Sequence, residues 1–206
     1  MKNSKAIWTV KTECGPVREK NEDAIYPDKS GSSNLPFKAG IFDGMGGHKK
    51  GEVASLIASK VMDDIFVDIT DYVNLANKKI LNYQNEHPEA TGMGTTMTIV
   101  EIDKDKVLHI AHVGDSRCYV LNNRNLIQLT EDENVPGYQN VLTQALGSKE
   151  KLKIQTRDFQ LTSGDVVFLC TDGIYNEIGD KYLKNKLIDG VTAESLISEV
   201  LLQNPK

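Results

Sequence analysis

The chain has 206 residues, of which 39% are hydrophobic and 26% charged; this is typical of one globular domain and excludes a disordered chain. Its 24 basic and 29 acidic residues give a net charge of −5, which leaves no basic surplus for binding nucleic acid or an anionic membrane. Residues 1–8 lack the apolar core of a signal peptide, no run of about eighteen apolar residues occurs, and Cys14, Cys118 and Cys170 form no C-x-x-C pair. We therefore expect a cytoplasmic protein.

Runs of branched apolar residues predict strands, and apolar residues at a 3.6-residue period predict helices. In chain order they give strands at 6–12 and 38–42, helices at 51–69 and 72–85, strands at 95–102, 107–113, 118–122, 126–129 and 166–171, and helices at 181–188 and 193–202. Asp180 and Thr192 stand at the expected N-caps of the last two helices. Most strands follow one another through short polar turns, which predicts an α+β fold with antiparallel sheets in a single domain spanning 1–206.

Three aspartates share one local context. Asp43, Asp115 and Asp172 each follow an apolar segment and adjoin a glycine. A strand end holds a carboxylate in a fixed place, and glycine allows a ligand to approach closely. Several carboxylates at one end of a sheet repel one another unless cations neutralise them, and all-oxygen ligands select Mg²⁺, Mn²⁺ or Ca²⁺. A single Asp-Gly pair is more often a simple turn, but three at strand ends favour a metal site.

The glycine-rich segment 44–51 does not match a nucleotide-binding loop. Lys49 stands where a dinucleotide fingerprint starting at Gly44 needs glycine, and the Gly-Lys-Ser/Thr of a P-loop is absent. We therefore expect no nucleoside triphosphate here. For His48, the histidine nearest to Asp43 in sequence, we expect a loop role rather than a catalytic one.

The motifs occur in an order that resembles the PPM (type 2C) metal-dependent protein serine/threonine phosphatases in their bacterial form. They are REKNED at 18–23, IFDGMGGH at 41–48, GEVAS at 51–55, GTT at 94–96, VGDSRCY at 113–119, LTQALG at 142–147 and CTDG at 170–173. The resemblance implies an αββα sandwich, in which helices flank two antiparallel sheets, with a metal centre at one edge. It also implies hydrolysis of phosphoserine and phosphothreonine in proteins by a water that bridges two divalent metals, Mn²⁺ or Mg²⁺, with a third metal in bacterial members. The implied partners are phosphorylated proteins, including a bacterial serine/threonine kinase or its targets.

The resemblance also implies the metal ligands. Asp43 would bridge two metals, and the carbonyl of Gly44 would bind the second metal. Asp172 would bind the first metal, Glu22 would hold the second through water, and Asp115 would share the third with Asp172.

Arg18 matches the arginine that binds the substrate phosphate, so the implied catalytic residues are Arg18, Asp43 and Asp172. Asp23 would support Glu22. For Thr95 and Thr96 we expect packing or supporting roles.

Two features depart from the family pattern. The family's final Asp-Asn pair, whose aspartate completes the first metal's ligands, is absent, so we expect a C-terminally shortened sandwich. The stretch between Leu129 and Leu142 is shorter than the family's flap, and we expect its acids Asp132 and Glu133 to be solvated. Two functions therefore stay open: a metal-dependent phosphatase, or a weakly active or inactive relative that binds or regulates a phosphoprotein partner.

Overall fold

The computed structural model describes residues 4–16, 18–45 and 50–203. The strands within these residues are β1 (Lys5–Trp8), β2 (Ala24–Tyr26), β3 (Gly31–Asn34), β4 (Phe37–Phe42), β5 (Gly44–Met45), β6 (Gly94–Thr95), β7 (Met97–Ile102), β8 (Val107–Val113), β9 (Arg117–Asn122), β10 (Asn125–Gln128), β11 (Asn134–Val135), β12 (Tyr138–Leu142), β13 (Gln155–Gln160) and β14 (Val166–Cys170). The helices are α1 (Gly51–Val61), α2 (Ile69–Glu86), α3 (Asp172–Tyr175), α4 (Asp180–Ile188) and α5 (Ala193–Gln203), and a 3₁₀ turn covers Pro88–Ala90.

Two antiparallel sheets form the centre of the molecule. The first has five strands in the order β13-β8-β7-β4-β2, and the second has three in the order β10-β9-β14. Alternate residues of one strand face opposite sides of its sheet, as in β7, where Ile99 packs toward α1 and α2 while Val100 packs toward the second sheet. Both faces of each sheet are therefore covered.

Three apolar clusters mark the interfaces between four layers. The first joins α1 and α2 to the five-stranded sheet, with Phe42, Ala58 and Ile80 fully buried. A second cluster lies between the sheets, and a third joins the three-stranded sheet to α4 and α5 through residues such as Tyr119 and Leu183. The layers run helix, sheet, sheet, helix, which confirms the expected αββα sandwich.

Three two-stranded pairs surround the sandwich: β1 with β3, β5 with β6, and β11 with β12. Strand β14 forms one edge of its sheet, and a groove of about 580 Å³ lies between it and β1. Among the described residues, every helix is too short or too polar to cross a bilayer.

The first two helices differ from the sequence prediction. The helix expected over 51–69 ends at Val61, and the helix expected from Tyr72 begins at Ile69. Asp68 caps it by accepting hydrogen bonds from the backbone N and Oγ1 of Thr70, both at 2.8 Å. Ile65 had extended the apolar periodicity, but it lies in the loop between the helices and is 92% exposed.

The strand expected over 6–12 ends at Trp8, and the other predicted boundaries are closer. The strand expected over 95–102 is divided at Thr96 into β6 and β7. Thr192 acts as predicted, since its Oγ1 accepts from Ser195 N at 3.2 Å, whereas Gly179 rather than Asp180 is the N-cap of α4. Sequence patterning missed β2, β3, β5, β11, β12 and β13; β13, for example, is an edge strand with mostly exposed residues and no apolar alternation.

Candidate metal and phosphate site

A cavity of about 290 Å³ at one end of the sandwich gathers most of the expected site residues. Its lining includes Arg18, Glu22, Asp43, Gly44 and Asp172. These residues come from the loop before β2, the end of β4 with the start of β5, and the start of α3. The fold thus places one arginine and several carboxylates from distant parts of the chain around one space.

Asp43 is held through its backbone. It follows β4, and its N–H donates to Thr96 Oγ1 at 3.0 Å. The carbonyl of Asp43 accepts from Thr96 N at 2.9 Å and from Thr95 Oγ1 at 2.9 Å. Because both threonines are buried, these bonds are shielded from water and fix where the Asp43 side chain begins. The division between β6 and β7 at Thr96 is what leaves its groups free to bind Asp43.

The backbone of Gly44, directly after Asp43 in the chain, is hydrogen-bonded to the backbone of Glu22. The carbonyl of Glu22 accepts from Gly44 N at 3.1 Å and from Ser55 Oγ of α1 at 2.6 Å. A Cβ on Gly44 would collide with the backbone oxygens of Glu22 and Gly51. Glycine is therefore required at residue 44 so that three backbone segments can meet beside the cavity.

Asp23 connects the two halves of the site. Its Oδ2 accepts a hydrogen bond from Thr171 Oγ1 at 3.1 Å, directly before Asp172. Asp172 is the first residue of α3, where a carboxylate also faces the positive end of the helix.

Asp115 is not among the residues that line the cavity, and it is 8% exposed. Its Oδ2 accepts from Asn134 Nδ2 at 3.0 Å. The next residue, Ser116, shares a 2.8 Å hydrogen bond between its Oγ and Thr96 Oγ1, which links this loop to the residues that hold Asp43.

The carboxylates raise one another's pKa. Burial, followed by the charges of Asp23, Asp172 and Asp115, raises the pKa of Asp43 to about 9. Burial is also the main cause that raises the pKa of Asp23 to about 6 and the pKa of Asp115 above its ordinary value. A divalent cation among these oxygens would offset this repulsion, and hard oxygen donors suit Mg²⁺ or Mn²⁺, so the donor set fits the metals that the sequence predicts.

The side chains do not form a finished coordination sphere. Among residues 4–16, 18–45 and 50–203, no three His, Cys, Asp or Glu side chains are arranged so that they could hold a metal ion. His48 and the rest of segment 46–49 lie outside the described residues.

The expectation that Asp132 and Glu133 are solvated is wrong. Asp132 forms a salt bridge with Arg117 at 2.6 Å. Glu133 accepts from Gly114 N at 2.9 Å and from Gln144 Nε2 at 3.0 Å. Both carboxylates stabilise the loops around Asp115 through these contacts.

Sequence reasoning also missed Asn134 and Thr171 as partners of the site carboxylates. Asn134 stands outside the motifs named above, and Thr171 stands in the CTDG motif without an assigned role. Adjacency to Asp172 was the one available signal for Thr171.

Known proteins are similar to this chain in both sequence and fold. The family model described as Protein phosphatase 2C matches residues 17–200. Serine/threonine phosphatase stp of Listeria welshimeri is 30% identical over 209 residues, which cover 86% of this chain and 81% of that protein.

Two solved phosphatase structures are similar to this chain, and the first is from Mycobacterium tuberculosis. The serine/threonine phosphatase PstP/Ppp superposes with a TM-score of 0.80 at 26% identity, covering 96% of this chain and 92% of that one. The catalytic domain of PstP in complex with two manganese ions gives a TM-score of 0.78 at 27% identity, covering 96% and 91% of the two chains. From its sequence, its four layers and its cluster of carboxylates, the chain belongs to the protein phosphatase 2C family.

Proposed function

We propose that this protein is a phosphatase that uses Mn²⁺ or Mg²⁺ to hydrolyse phosphoserine and phosphothreonine in proteins. The observation that carries the proposal is the cavity that Arg18 shares with Glu22, Asp43 and Asp172. A cation-binding set of carboxylates beside an exposed guanidinium suits a phosphate monoester, because the metal side and the arginine side can both contact its oxygens.

We assign the ligand roles as the family resemblance implies. Asp43, Asp172 and the Gly44 carbonyl would hold two metals, with Asp43 shared between them. Glu22 would hold its metal through water, and Asp115 with Asp172 would serve a third. The buried bonds to Thr95 and Thr96 support the Asp43 assignment, since a bridging ligand must keep its position as the second metal binds.

The metals would activate the attacking water and neutralise charge on the phosphoryl group. Residues of this chain supply the binding and orientation of the phosphate ester. Arg18 binds phosphoryl oxygens and aligns the ester. Asp43, whose raised pKa keeps it protonated at neutral pH without a cation, would release its proton on metal binding. No side chain of the protein is needed as a nucleophile.

The physiological partners are proposed as phosphorylated proteins, among them a bacterial serine/threonine kinase or its targets. We also propose a cytoplasmic location, which is supported by the free thiols of Cys14, Cys118 and Cys170. Residues 1–206 are proposed to act as one phosphatase domain.

A second candidate function is binding or regulation of a phosphoprotein with little or no catalysis. The observation in its favour is that no three acidic, histidine or cysteine side chains of the described residues could hold a metal as they stand. The retention of Arg18 together with four of the family's carboxylates favours the enzyme, since a binding module does not need that set.

The test compares hydrolysis of p-nitrophenyl phosphate and of a phosphothreonine peptide with and without Mn²⁺. Asp43→Asn should reduce turnover by more than about 100-fold, because it removes a metal ligand rather than a supporting group. Asp158→Asn is the matched control, since its side chain is 72% exposed on β13. Turnover that is undetectable or independent of metal would reject the enzyme, and retained binding of the phosphopeptide would then support the regulatory alternative.

A further inference from the structure

Arg117 is the most heavily engaged arginine near the site. Its Nε donates to Asp132 Oδ1 at 3.0 Å, and its Nη2 donates to Asp132 Oδ2 at 2.6 Å. The third nitrogen, Nη1, donates to Tyr119 Oη at 3.0 Å. The face of the guanidinium lies against the ring of Tyr175, with Cζ 3.6 Å from the ring centroid. A planar, charged group is therefore fixed on its edge by Asp132 and on its face by Tyr175.

This contact lies beside two of the carboxylates assigned above. Arg117 begins β9 and is the cross-strand partner of Cys170, the last residue of β14. Asp115 stands two residues before Arg117, and Asp172 opens the α3 turn that carries Tyr175. The charges of Asp115 and Asp172 both act on the Tyr175 hydroxyl and, after burial, help to raise its pKa. Arg117 thus reaches from the Asp115 loop to the Asp172 turn.

Part of the support of the α3 turn is apolar, since Ile174 and Tyr175 pack against the cluster that joins the three-stranded sheet to α4 and α5. The turn has only four residues, none of them buried, and no side chain caps its N-terminus. The hydroxyl of Thr171, which stands at the capping position, donates to Asp23 instead. Besides this apolar packing, the stack of Tyr175 on Arg117 is a contact that sets where α3 lies.

The charge of Arg117 is neutralised within this arrangement. The Asp132 carboxylate accepts hydrogen bonds from two of the Arg117 nitrogens, and Gln128 Nε2 donates to the same carboxylate at 3.0 Å. A guanidinium paired in this way is a support rather than a phosphate ligand, in contrast to the exposed Arg18.

We propose that Arg117 is a positioning residue for metal binding: held by Asp132, its guanidinium supports the Tyr175 ring and so fixes the turn that presents Asp172. The proposal rests on the phosphatase assignment only in taking Asp172 as a metal ligand. It concerns Mn²⁺ affinity, which is measured without any substrate.

The experiment titrates the full chain with Mn²⁺ by calorimetry and follows thermal unfolding of the metal-free protein in parallel. Arg117→Lys keeps the positive charge but removes the planar guanidinium that donates to both Asp132 oxygens and stacks on Tyr175. Tyr175→Leu removes the aromatic ring from this stack. Each should weaken Mn²⁺ binding by about 10- to 100-fold, as supporting groups of metal sites do. Tyr175→Phe keeps the stacked ring and should bind Mn²⁺ as the unmodified chain does.

Arg157→Lys is the matched control. Arg157 is an exposed residue of β13 whose Nη1 donates to Leu129 O at 3.3 Å, on the five-stranded sheet. It should leave Mn²⁺ affinity unchanged. In the hydrolysis assay, Arg117→Lys and Tyr175→Leu should raise the Mn²⁺ concentration for half-maximal activity, and high Mn²⁺ should restore most of kcat.

The outcomes separate this proposal from the phosphatase assignment. If Tyr175→Leu and any folded Arg117→Lys lower the unfolding temperature but bind Mn²⁺ as tightly as the unmodified chain, Arg117 is merely structural and the proposal is overturned. If the unmodified chain binds Mn²⁺ but hydrolyses no phosphate ester, the phosphatase assignment fails, while weakened binding in the variants would still support the positioning role. Should Tyr175→Phe weaken binding as much as Tyr175→Leu, the stacked ring is not the cause and the proposal is equally overturned.

Discussion

The two halves of the sandwich hold their carboxylates in different ways. In the five-stranded half, Asp43 is fixed by three hydrogen bonds between its backbone and two buried threonines. In the three-stranded half, Asp172 begins a four-residue turn without buried residues, next to an edge strand in which only Cys170 is buried. Rigidity at Asp43 comes from the interior of the protein, whereas at Asp172 it depends on side chains that stack near the surface.

This difference predicts how the site responds to substitutions in each half. Loss of a buried hydrogen bond leaves polar groups that water cannot reach, so it affects stability and the site together. Loss of a stacking contact at α3 can move one carboxylate while the rest of the fold persists. The following substitutions compare the two halves directly.

Two phenylalanines test the packing of each half. Phe42 is fully buried at the end of β4, while Phe168 in β14 is only partly buried. We expect Phe42→Ala to lower the free energy of unfolding by about 3–5 kcal/mol and Phe168→Ala by less than about 3 kcal/mol. Urea denaturation of the two variants measures this, and equal losses would contradict the described contrast between the halves.

Two threonines test the hydrogen bonds. Thr96→Val removes the oxygen that accepts from Asp43 N and pairs with Ser116 Oγ, which should cost about 1–3 kcal/mol because both partners stay buried. Thr171→Val removes the bond to Asp23 in a less buried place and should cost less stability. Thr96→Ser keeps the hydroxyl and serves as the control. A Thr96→Val protein as stable as the unmodified chain would show that the buried bonds contribute little.

The stability of the metal-free protein should fall as pH rises. Unfolded aspartates lose their protons near pH 3.8, whereas folded Asp23 keeps its proton to about pH 6 and folded Asp43 to about pH 9. The folded state therefore binds more protons in this window, and each such carboxyl lowers the free energy of unfolding by about 1.4 kcal/mol per pH unit. The contribution is full below pH 3.8 and is lost as pH rises through the folded pKa values.

Denaturation of chelator-treated protein between pH 4 and pH 9 measures this slope, and Asp43→Asn separates the contribution of Asp43 from all other groups. The unmodified chain should lose more stability than Asp43→Asn as pH rises. Identical slopes would show that Asp43 ionises normally in the folded protein.

The smallest effect is expected at the surface of the five-stranded sheet. His109 Nδ1 lies 2.8 Å from Asp158 Oδ1, and burial opposes but does not cancel the rise in the pKa of His109 caused by Asp158 and Asp103. The pair stabilises the fold below the ordinary histidine pKa of 6.5, and this stabilisation is lost as pH rises through the folded value. Asp158→Asn should therefore cost less than about 1 kcal/mol at pH 5.5 and nothing at pH 9. An effect that persists at pH 9 would point to a cause other than this ion pair.

The sequence was most informative where burial imposes a pattern. Strand β8 matches its prediction at both ends because apolar residues alternate between two covered faces. Edge strands such as β13 have no such alternation. Ile65 fits a helical period in the sequence, but in the structure it is exposed in the loop after α1.

For the site, strand ends and glycines identified Asp43 and Asp172, since those features are local. Thr95 and Thr96 of the GTT motif, for which supporting roles were expected, hold the backbone of Asp43, whereas the partners of Arg117 and Asp115 could not be read from motifs. Asp132 and Asn134 act through contacts across 15 and 19 residues, which depend on how the loops fold back on one another.

One hydrogen bond described above bears on the order in which the molecule is built. Thr171 donates to Asp23 across 148 positions of the chain. Contacts so far apart in sequence form late in folding, since closing a long loop costs entropy before any contact compensates for it. During synthesis at the ribosome, Asp23 and Asp43 therefore meet Asp172 only after β14 has emerged and docked. A cation site that needs both Asp43 and Asp172 is accordingly absent from the nascent chain until that step.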